Sequence, residues 1–410
     1  MPHPERERRK IVFFGHFGAG NFGNEATFQA ILWNVRRLAP GAELLCITTF
    51  PGKVTEEYGI PAVPISEVVV EPWDVRIPIA KWGRKLFVGV PSEIYRWFKT
   101  LKTLWHANAF IVVGTGLLTD SFALGGWGPY SVFKWSLGAR LCGCKVLFVS
   151  AGAGPLDRPI GQFLIKFALS LADFRSYRDQ ATLEYLKSIG FWRHGDHVFP
   201  DLAFSLPLVA LPQTGPPNRR RVVGLGLMDY KGMYGVEKTT EAQYENYLET
   251  LLGFVKWLLD RDYDICLLVG ALSDEPTVRD FTAMLRQRSL PEDRIVAEGI
   301  SSSGDLLSRL STTDFVVATR FHNVLLALFL NKPCVSISFH HKCSSLMNQM
   351  GLENYCQDIQ HLNAEKLVEQ FCELEKNSEN LKHMIREKVT ECRHALDEQY
   401  DLIFKDLLAE

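Results

Sequence analysis

Short apolar runs rich in β-branched residues alternate along this chain with longer segments whose apolar residues follow a helical spacing. The runs are predicted to be strands and cover residues 11–15, 44–48, 109–113, 145–150, 222–227, 265–269, 315–318 and 334–337. Between the first two runs, residues 26–38 have apolar positions every three or four residues, as a helix does. Because strands that alternate with helices form parallel sheets, the pattern predicts an α/β fold.

The last two predicted strands enclose the strongest candidate chemistry. The polar residues 319–323 follow the first of these strands and precede a predicted helix. They include Arg320 and His322, and Lys342 stands twenty positions after His322. Ligands of open α/β sheets bind at the carboxyl ends of strands, where helix N-termini favour anions. The segment therefore predicts either a site for an anionic substrate with one proton-transfer group, or an Arg and a His that cap a helix and pair with surface acids.

Glycine-rich turns follow three predicted strands in the first half of the chain. Their candidate ligand-binding residues are Gly18, Asn21, Gly23, Asn24 and Glu25 after the first strand, and Gly114, Thr115 and Gly116 after the third. Residues 151–155 form the remaining turn. Glycine lets a backbone approach a ligand closely, although tight packing explains a single turn of this kind equally well. Three such turns at strand ends favour a ligand-binding edge.

A further candidate pair, Arg178 and Asp179, stands at a predicted helix start, and Asp201 follows some twenty residues later. The pair is either a structural ion pair or part of an anion site. An Arg at a helix N-terminus opposes the helix dipole, so a bound anion is the more economical explanation.

Residues 51–104 are less regular in pattern and rich in Pro, Trp and Arg. Their tryptophans and arginines interleave as Trp73, Arg76, Trp82, Arg84, Arg96 and Trp97. This stretch is either an acceptor-binding insertion, since aromatic faces stack on sugar rings, or a set of helices packed on the sheet. We favour the helices. A membrane-surface contact through residues 73–97 is a further expectation.

The length of 410 residues predicts two domains of about 200 residues each. Residues 207–221 carry four prolines and end in three arginines, which indicates an interdomain linker. We predict an N-terminal α/β domain over residues 1–212, a linker over 213–221 and a C-terminal α/β domain over 222–375. The charged helices of residues 376–410 are expected to pack back on the first domain.

Composition excludes several classes of function. The 47% hydrophobic and 22% charged residues are typical of a soluble globular protein, and a net charge of −2 gives no drive toward nucleic acid. Nine scattered cysteines without a Cys-x-x-Cys pair indicate buried thiols, not disulfides or a metal site. The sequence has neither a signal peptide nor an apolar run of the roughly 20 residues that span a membrane. We therefore expect a cytoplasmic protein.

The motifs occur in an order that resembles the polysaccharide pyruvyl transferase family. They are Asn21-Phe22-Gly23-Asn24-Glu25, Gly114-Thr115-Gly116, Ser176-Tyr177-Arg178-Asp179, Pro200-Asp201 and Arg320-Phe321-His322, with Lys342 beyond them. The resemblance extends over about residues 11–352. It implies two facing Rossmann-like domains of the GT-B kind, with parallel sheets and the active site in the interdomain cleft. It also implies phosphoenolpyruvate as the donor and a sugar or polysaccharide, free or lipid-linked, as the acceptor.

The family's residues carry over onto this chain at matching positions. The catalytic residues are implied to be His322, Arg320 and Lys342, and the donor-binding residues Arg178, Arg320, Asn323 and Lys342. Asp179, Asp201 and the residues of the first two glycine-rich turns are implied on the acceptor side. The reaction implied is protonation of the enol carbon by His322 and capture by sugar hydroxyls, without a cofactor or metal. Pyruvate would become attached as a ketal.

Two other functions remain open from the sequence. A nucleotide-sugar glycosyltransferase of the same fold would need an acidic residue for the ribose, and Glu298 follows a further predicted strand over residues 295–297. A glycan-binding protein without catalytic activity would share the fold. An Arg, a His and a Lys that converge on one edge argue against the second of these alternatives.

Overall fold

The computed structural model describes residues 9–67, 69, 85–120, 127–207, 220–229, 231 and 240–408. Contacts between residues divide the chain into two compact units. The first comprises Met1–Ala19, Asn34–Asp201 and Glu398–Glu410, and the second comprises Gly20–Trp33 and Leu202–Asp397. The domain boundaries predicted from the sequence stay a prediction. Most of the predicted linker lies outside the described residues, as do Trp73, Arg76, Trp82 and Arg84.

The first unit is built on a parallel sheet of seven strands. The strands are β1 Lys10–Phe14, β2 Glu43–Thr48, β3 Ala62–Pro64, β4 Ala109–Val113, β5 Lys145–Ala151, β6 Phe174–Tyr177 and β7 Asp196–Val198. Their order in the sheet is β3-β2-β1-β4-β5-β6-β7, and each neighbouring pair is parallel. The central strands β1, β4 and β5 are almost fully buried, since helices cover both faces of such a sheet.

Within the described residues, six helices alternate with these strands. They are α1 Phe22–Leu38, α2 Pro51–Tyr58, α3 Val90–Leu104, α4 Gly128–Leu141, α5 Pro159–Ser170 and α6 Gln180–Ser188. A π-helical turn, Lys85–Gly89, leads directly into α3. Helices α3, α4 and α5 pack side by side in sequence order.

The second unit has a parallel sheet of six strands. The strands are β8 Val222–Leu227, β9 Asp264–Val269, β10 Ile295–Val296, β11 Phe315–Ala318, β12 Cys334–Ser338 and β13 Cys356–Asp358. Their order is β10-β9-β8-β11-β12-β13, so the chain reverses its direction of winding between β8 and β11. In doubly wound sheets ligands bind at this reversal, outside the carboxyl ends of the strands.

Seven helices accompany this second sheet in the part of the chain that the structure describes. They are α7 Glu241–Leu259, α8 Glu275–Gln287, α9 Ser303–Thr312, α10 Phe321–Phe329, α11 His341–Gln349, α12 Ala364–Lys376 and α13 Ser378–Asp401. Helix α10 connects β11 to β12 and is buried over most of its length. The predicted α/β fold with two parallel sheets is therefore confirmed.

Two helix starts were predicted too late in the sequence. Helix α1 begins at Phe22, four residues before the predicted start at residue 26, and the side-chain oxygen of Asn21 accepts hydrogen bonds from the N–H groups of Gly23 and Asn24. The sequence pattern also predicts a helix that starts at Leu346, whereas α11 begins five residues earlier, at His341. Both first turns lack the apolar periodicity that marks a helix, and capping side chains define them instead.

The helices favoured for residues 51–104 are present in the described part of that stretch. Helix α2, strand β3 and helix α3 fall there. The indole N–H of Trp97 in α3 donates a hydrogen bond to the hydroxyl of Tyr130 in α4, so this tryptophan packs between helices.

All nine cysteines are free thiols, and Cys46, Cys266 and Cys334 are buried, as predicted. None of the helices within the described residues combines the length and the apolar character needed to cross a membrane.

The end of β4 allows a test with two neighbouring glycines. A Cβ at Gly114 would lie 2.3 Å from the carbonyl oxygen of Ser150 and 2.6 Å from that of Val149, whereas a Cβ at Gly116 would meet no atom within 4 Å. We expect Gly114→Ala to lower the free energy of unfolding by about 1–3 kcal/mol through this clash with β5. Gly116→Ala should change it little, and urea unfolding followed by circular dichroism measures both. Equal effects of the two substitutions would contradict the packing account.

Candidate functional site

The candidate site of the second unit begins with Arg320, which follows β11 and precedes the first residue of α10. Its guanidinium forms a two-pronged ion pair with the Asp274 carboxylate, with Nε to Oδ2 at 2.9 Å and Nη2 to Oδ1 at 2.5 Å. Nη2 also lies 3.3 Å from the Ser273 hydroxyl. Among the described residues Nη1 has no hydrogen-bond partner, so this end of the guanidinium is available to a ligand.

Asp274 fixes the position of Arg320 and joins three strand ends. Its side chain is fully buried. Besides Arg320 after β11, it accepts hydrogen bonds from the N–H of Asp229 after β8, at 3.1 Å, and of Gly270 and Ala271 after β9, at 3.3 and 3.1 Å. A buried carboxylate is tolerated only when it is paired and hydrogen-bonded in this way. Asp274 therefore holds the three loops together at the reversal point of the sheet.

His322 lies in the first turn of α10, and its ring packs against the start of α1. A Cβ at Gly23 would lie 1.8 Å from Nδ1 of His322 and 2.0 Å from Cγ, so only glycine leaves room for the imidazole. The segment before α1 is attached to the loop after β9 by hydrogen bonds from the Phe22 N–H to the Gly270 carbonyl and from the Leu272 N–H to the Gly20 carbonyl. Gly23 was assigned from the sequence to the acceptor side, and the structure brings it to His322.

Lys342 belongs to the first turn of α11, after β12, the strand next to β11. Its Nζ lies 5.7 Å from the centre of the Phe321 ring and 5.0 Å from that of Phe339. The Phe321 ring in turn contacts the His322 ring edge-on, with centroids 5.0 Å apart. Lys342 and His322 thus both lie near the Phe321 ring, so the structure brings the two to one neighbourhood. The first turns of α10 and α11 add two helix N-termini that favour anions.

Asn323 is fully buried in the same turn of α10. Neither its side-chain oxygen nor its side-chain nitrogen has a hydrogen-bond partner among the described residues. The amide lies in a space left by two glycines, since a Cβ at Gly226 or at Gly270 would come within 2.9 Å of it. Unsatisfied buried amides are rare in proteins and mark positions where a ligand or water supplies the missing hydrogen bonds.

Arg178, in the first unit, lies between two carboxylates. Its Nε is 3.4 Å from the Asp179 carboxylate and its Nη1 is 3.7 Å from that of Asp201, and the arginine side chain is nine-tenths buried. Burial would raise the pKa of the Asp179 carboxyl, but Arg178 and the N–H of Thr182 hold it below its ordinary value. The ion pair considered from the sequence is thus present. The donor-binding role of Arg178 stays a prediction, as do the acceptor-side roles of Asp179 and Asp201.

The glycine-rich turns of the first unit are explained mostly by packing. Gly18 has a φ of +74°, and a Cβ there would lie 2.8 Å from the carbonyl oxygen of Phe50. Gly114 packs against β5, whereas the position of Gly116 is open. The buried hydroxyl of Thr115 has no hydrogen-bond partner within the part of the chain that is described. A ligand role for this triplet stays a prediction, as it does for Asn21, Asn24 and Glu25.

Sequence reasoning missed Asp274 as a site residue. The residue lies 46 positions before Arg320, in a loop that reads as an ordinary helix start. Glu298, considered as a ribose-binding acid, forms an ion pair with Arg309 in α9. Within the described residues no group of three or more His, Cys, Asp or Glu side chains could hold a metal ion.

Known proteins resemble the chain in sequence and in fold. A family model described as polysaccharide pyruvyl transferase matches residues 21–341. The amylovoran biosynthesis protein AmsJ of Erwinia amylovora is 20% identical over 379 residues, which cover 86% of this chain and 89% of AmsJ. A protein described as a UDP-N-acetylglucosamine 2-epimerase from Listeria monocytogenes has a TM-score of 0.64 at 11% identity, with 98% of both chains covered. A glycosyltransferase from Rickettsia africae has a TM-score of 0.55 at 10% identity, covering 98% of this chain and 100% of the other. At these low identities, the two structural similarities show the fold alone.

The Asp274–Arg320 pair predicts a large effect on stability. Asp274→Ala leaves a mostly buried guanidinium and three backbone N–H groups without their acceptor, so we expect the free energy of unfolding to fall by about 3–5 kcal/mol. Glu275→Ala, the exposed neighbour in the first turn of α8, should change it by about 0.5 kcal/mol or less. Urea unfolding of both variants measures the difference, and similar values for the two would refute the role given to Asp274.

The contact of Gly23 with His322 is tested by a second pair of glycines. Gly23→Ala should displace the His322 ring, which nitrogen-15 shifts of the imidazole or a crystal structure would reveal. Gly52→Ala is the matched control, because Gly52 also occupies the second position of a helix and a Cβ there meets no atom within 4 Å. Both substitutions add similar helix propensity, so a lower stability of Gly23→Ala than of Gly52→Ala would report the clash with the imidazole. An unmoved His322 ring in Gly23→Ala would contradict the geometry described.

Proposed function

Because the chain belongs to the polysaccharide pyruvyl transferase family, we propose that it transfers the pyruvyl group of phosphoenolpyruvate to sugar hydroxyls as a ketal. The observation that supports the proposal is that basic side chains follow two neighbouring strands of the second sheet. Arg320, held by Asp274, lies in one turn with His322, and Lys342 follows the neighbouring strand. Phosphoenolpyruvate carries a carboxylate and a phosphate, and it needs such a set of cations and helix N-termini.

Each residue receives a definite role in this proposal. The available Nη1 of Arg320 and the ammonium of Lys342 bind the two anionic groups of the donor, and the buried amide of Asn323 supplies a hydrogen bond. Asp274 is a positioning residue, since it touches Arg320 and not the donor. The family resemblance also assigns Arg178 to the donor, and that assignment is part of the proposal.

His322 acts as the general acid of the reaction. Its imidazolium gives a proton to the methylene carbon of phosphoenolpyruvate, which converts C2 into an oxocarbenium centre. A sugar hydroxyl adds to C2 and loses its proton, and the C2–O bond to the phosphate then breaks. A second hydroxyl of the same sugar adds to C2 and loses its proton, which closes the cyclic ketal. One proton has entered the new methyl group and one has left with the phosphate.

The acceptor is proposed to belong to an extracellular polysaccharide or to its precursor. The name of the AmsJ relative supports this choice, since it refers to amylovoran biosynthesis. We propose that the reaction takes place in the cytoplasm, where phosphoenolpyruvate is available. The carrier of the sugar, whether lipid, polymer or free glycan, is left open by this proposal.

The role of His322 is tested by comparing two histidine substitutions. His322→Ala should lower acceptor-dependent phosphate release from phosphoenolpyruvate by about 100-fold or more, because general acid catalysis contributes that much. His361→Ala, whose side chain is 84% exposed, should leave the rate unchanged. Calorimetry should show that both variants still bind phosphoenolpyruvate. Pyruvylation by His322→Ala at the wild-type rate would contradict the role of His322 as the general acid.

A further inference from the structure

Helix α3 and the turn before it expose a line of large apolar side chains. Phe87, Ile94 and Phe98 are 77, 64 and 62% exposed, and Val90 beside them is 51% exposed. Steps of seven and four residues bring Phe87, Ile94 and Phe98 onto one face of a helix. Single exposed apolar residues are ordinary, whereas a continuous line of them marks an interaction surface.

The buried face of α3 is more polar than its exposed face. The buried residues of α3 are Ser92, Thr100 and Leu104. The helix therefore buries two small hydroxyl residues against the first unit and turns its largest apolar residues outward. Packing within the first unit does not account for this arrangement, because burying the phenylalanines would stabilise the unit more. An apolar medium on the outer side does account for it.

The exposed apolar surface continues over the neighbouring helices. Trp127, immediately before α4, is 65% exposed, and Ile160 and Phe163 of α5 are 63 and 59% exposed. A chain of ring contacts links Trp127 to Tyr130, Phe133, Phe167 and Phe163, with centroids 5.4 to 6.3 Å apart. Exposed apolar side chains therefore occur on α3, at the start of α4 and on α5, three helices that pack side by side.

Charges on α3 favour a negatively charged occupant. The helix carries three basic residues, Arg96, Lys99 and Lys102, and one acidic residue. That acid, Glu93, is bound by Arg96, Lys134 and the Tyr130 hydroxyl, and these groups hold its pKa below the ordinary value although burial would raise it. Lys102 is exposed, and the side chain of Lys99 is 41% exposed with Glu67 at 3.8 Å. Long basic side chains beside an apolar stripe are typical of helices that lie in a membrane interface.

We propose that this outer face, defined by Phe87, Val90, Ile94, Phe98, Trp127 and Phe163, docks on the surface of an anionic lipid bilayer. The apolar side chains enter the boundary between headgroups and acyl chains, and Lys99 and Lys102 pair with the headgroups. The protein lies on the membrane and does not cross it. This inference does not depend on pyruvyl transfer, and it provides a way for the protein to meet a sugar carried on a lipid.

Sedimentation with vesicles tests the apolar part of the surface. The full-length protein should sediment with vesicles of phosphatidylglycerol and phosphatidylcholine. The variant Ile94→Ser/Phe98→Ser should partition about 100-fold less, since each side chain loses roughly tenfold. The control Trp192→Ser/Val198→Ser replaces exposed apolar residues outside this face, 54 and 39% exposed, and should partition like the wild type. Melting temperatures should agree for all three proteins, because the replaced side chains lie on the surface.

Substitutions of the basic residues and a measurement of the oligomeric state test the rest of the proposal. Lys99→Gln/Lys102→Gln should weaken binding to the anionic vesicles by about thirtyfold, and raised salt should do the same to the wild type. No sedimentation of the wild type, or equal sedimentation of the apolar variant, would overturn the proposal. Self-association that the apolar variant abolishes, without any vesicle binding, would assign the face to a second copy of the chain and overturn it as well.

Discussion

The carboxylate of Asp274 is the constraint on which the second unit's candidate site depends. A charged group that is fully buried requires partners on every side, and Asp274 obtains them from the loops after β8, β9 and β11. The same contacts that satisfy the carboxylate fix the backbone of three loops and the direction of the Arg320 side chain. The site is therefore set in place before a ligand arrives, which reduces the free-energy cost of ordering it on binding.

Glycines provide the complementary constraint, since they decide where the larger side chains can lie. Gly23 leaves the space that the His322 ring occupies, and Gly270 leaves the space beside the Arg320 stem and the Asn323 amide. In the first unit Gly114 allows the end of β4 to lie close to the backbone of β5. The same residue type thus positions polar side chains in one unit and packs the sheet in the other. Counting glycines in a sequence does not separate these two uses.

The sequence predicted the sheet and its polar edge well, because both follow from local pattern. Strand β11 and the cluster from Arg320 to Asn323 could be located from apolar runs alone. The Asp274 partner could not, since it comes from a distant loop and only the order of the strands brings it to Arg320. The starts of α1 and α11 depend on capping side chains rather than on periodicity, so they were predicted too late. The outward face of α3 was anticipated only as one of several uses for a region rich in Trp and Arg.

The proposed function requires that the edge of the second sheet binds phosphoenolpyruvate. Isothermal titration calorimetry of the wild-type protein tests it most directly, with phosphoenolpyruvate, uridine diphosphate and guanosine diphosphate as separate titrants. We expect saturable binding of phosphoenolpyruvate and no binding of either nucleotide. Binding of a nucleotide diphosphate without binding of phosphoenolpyruvate would contradict the proposed function and would favour a nucleotide-sugar glycosyltransferase on the same fold.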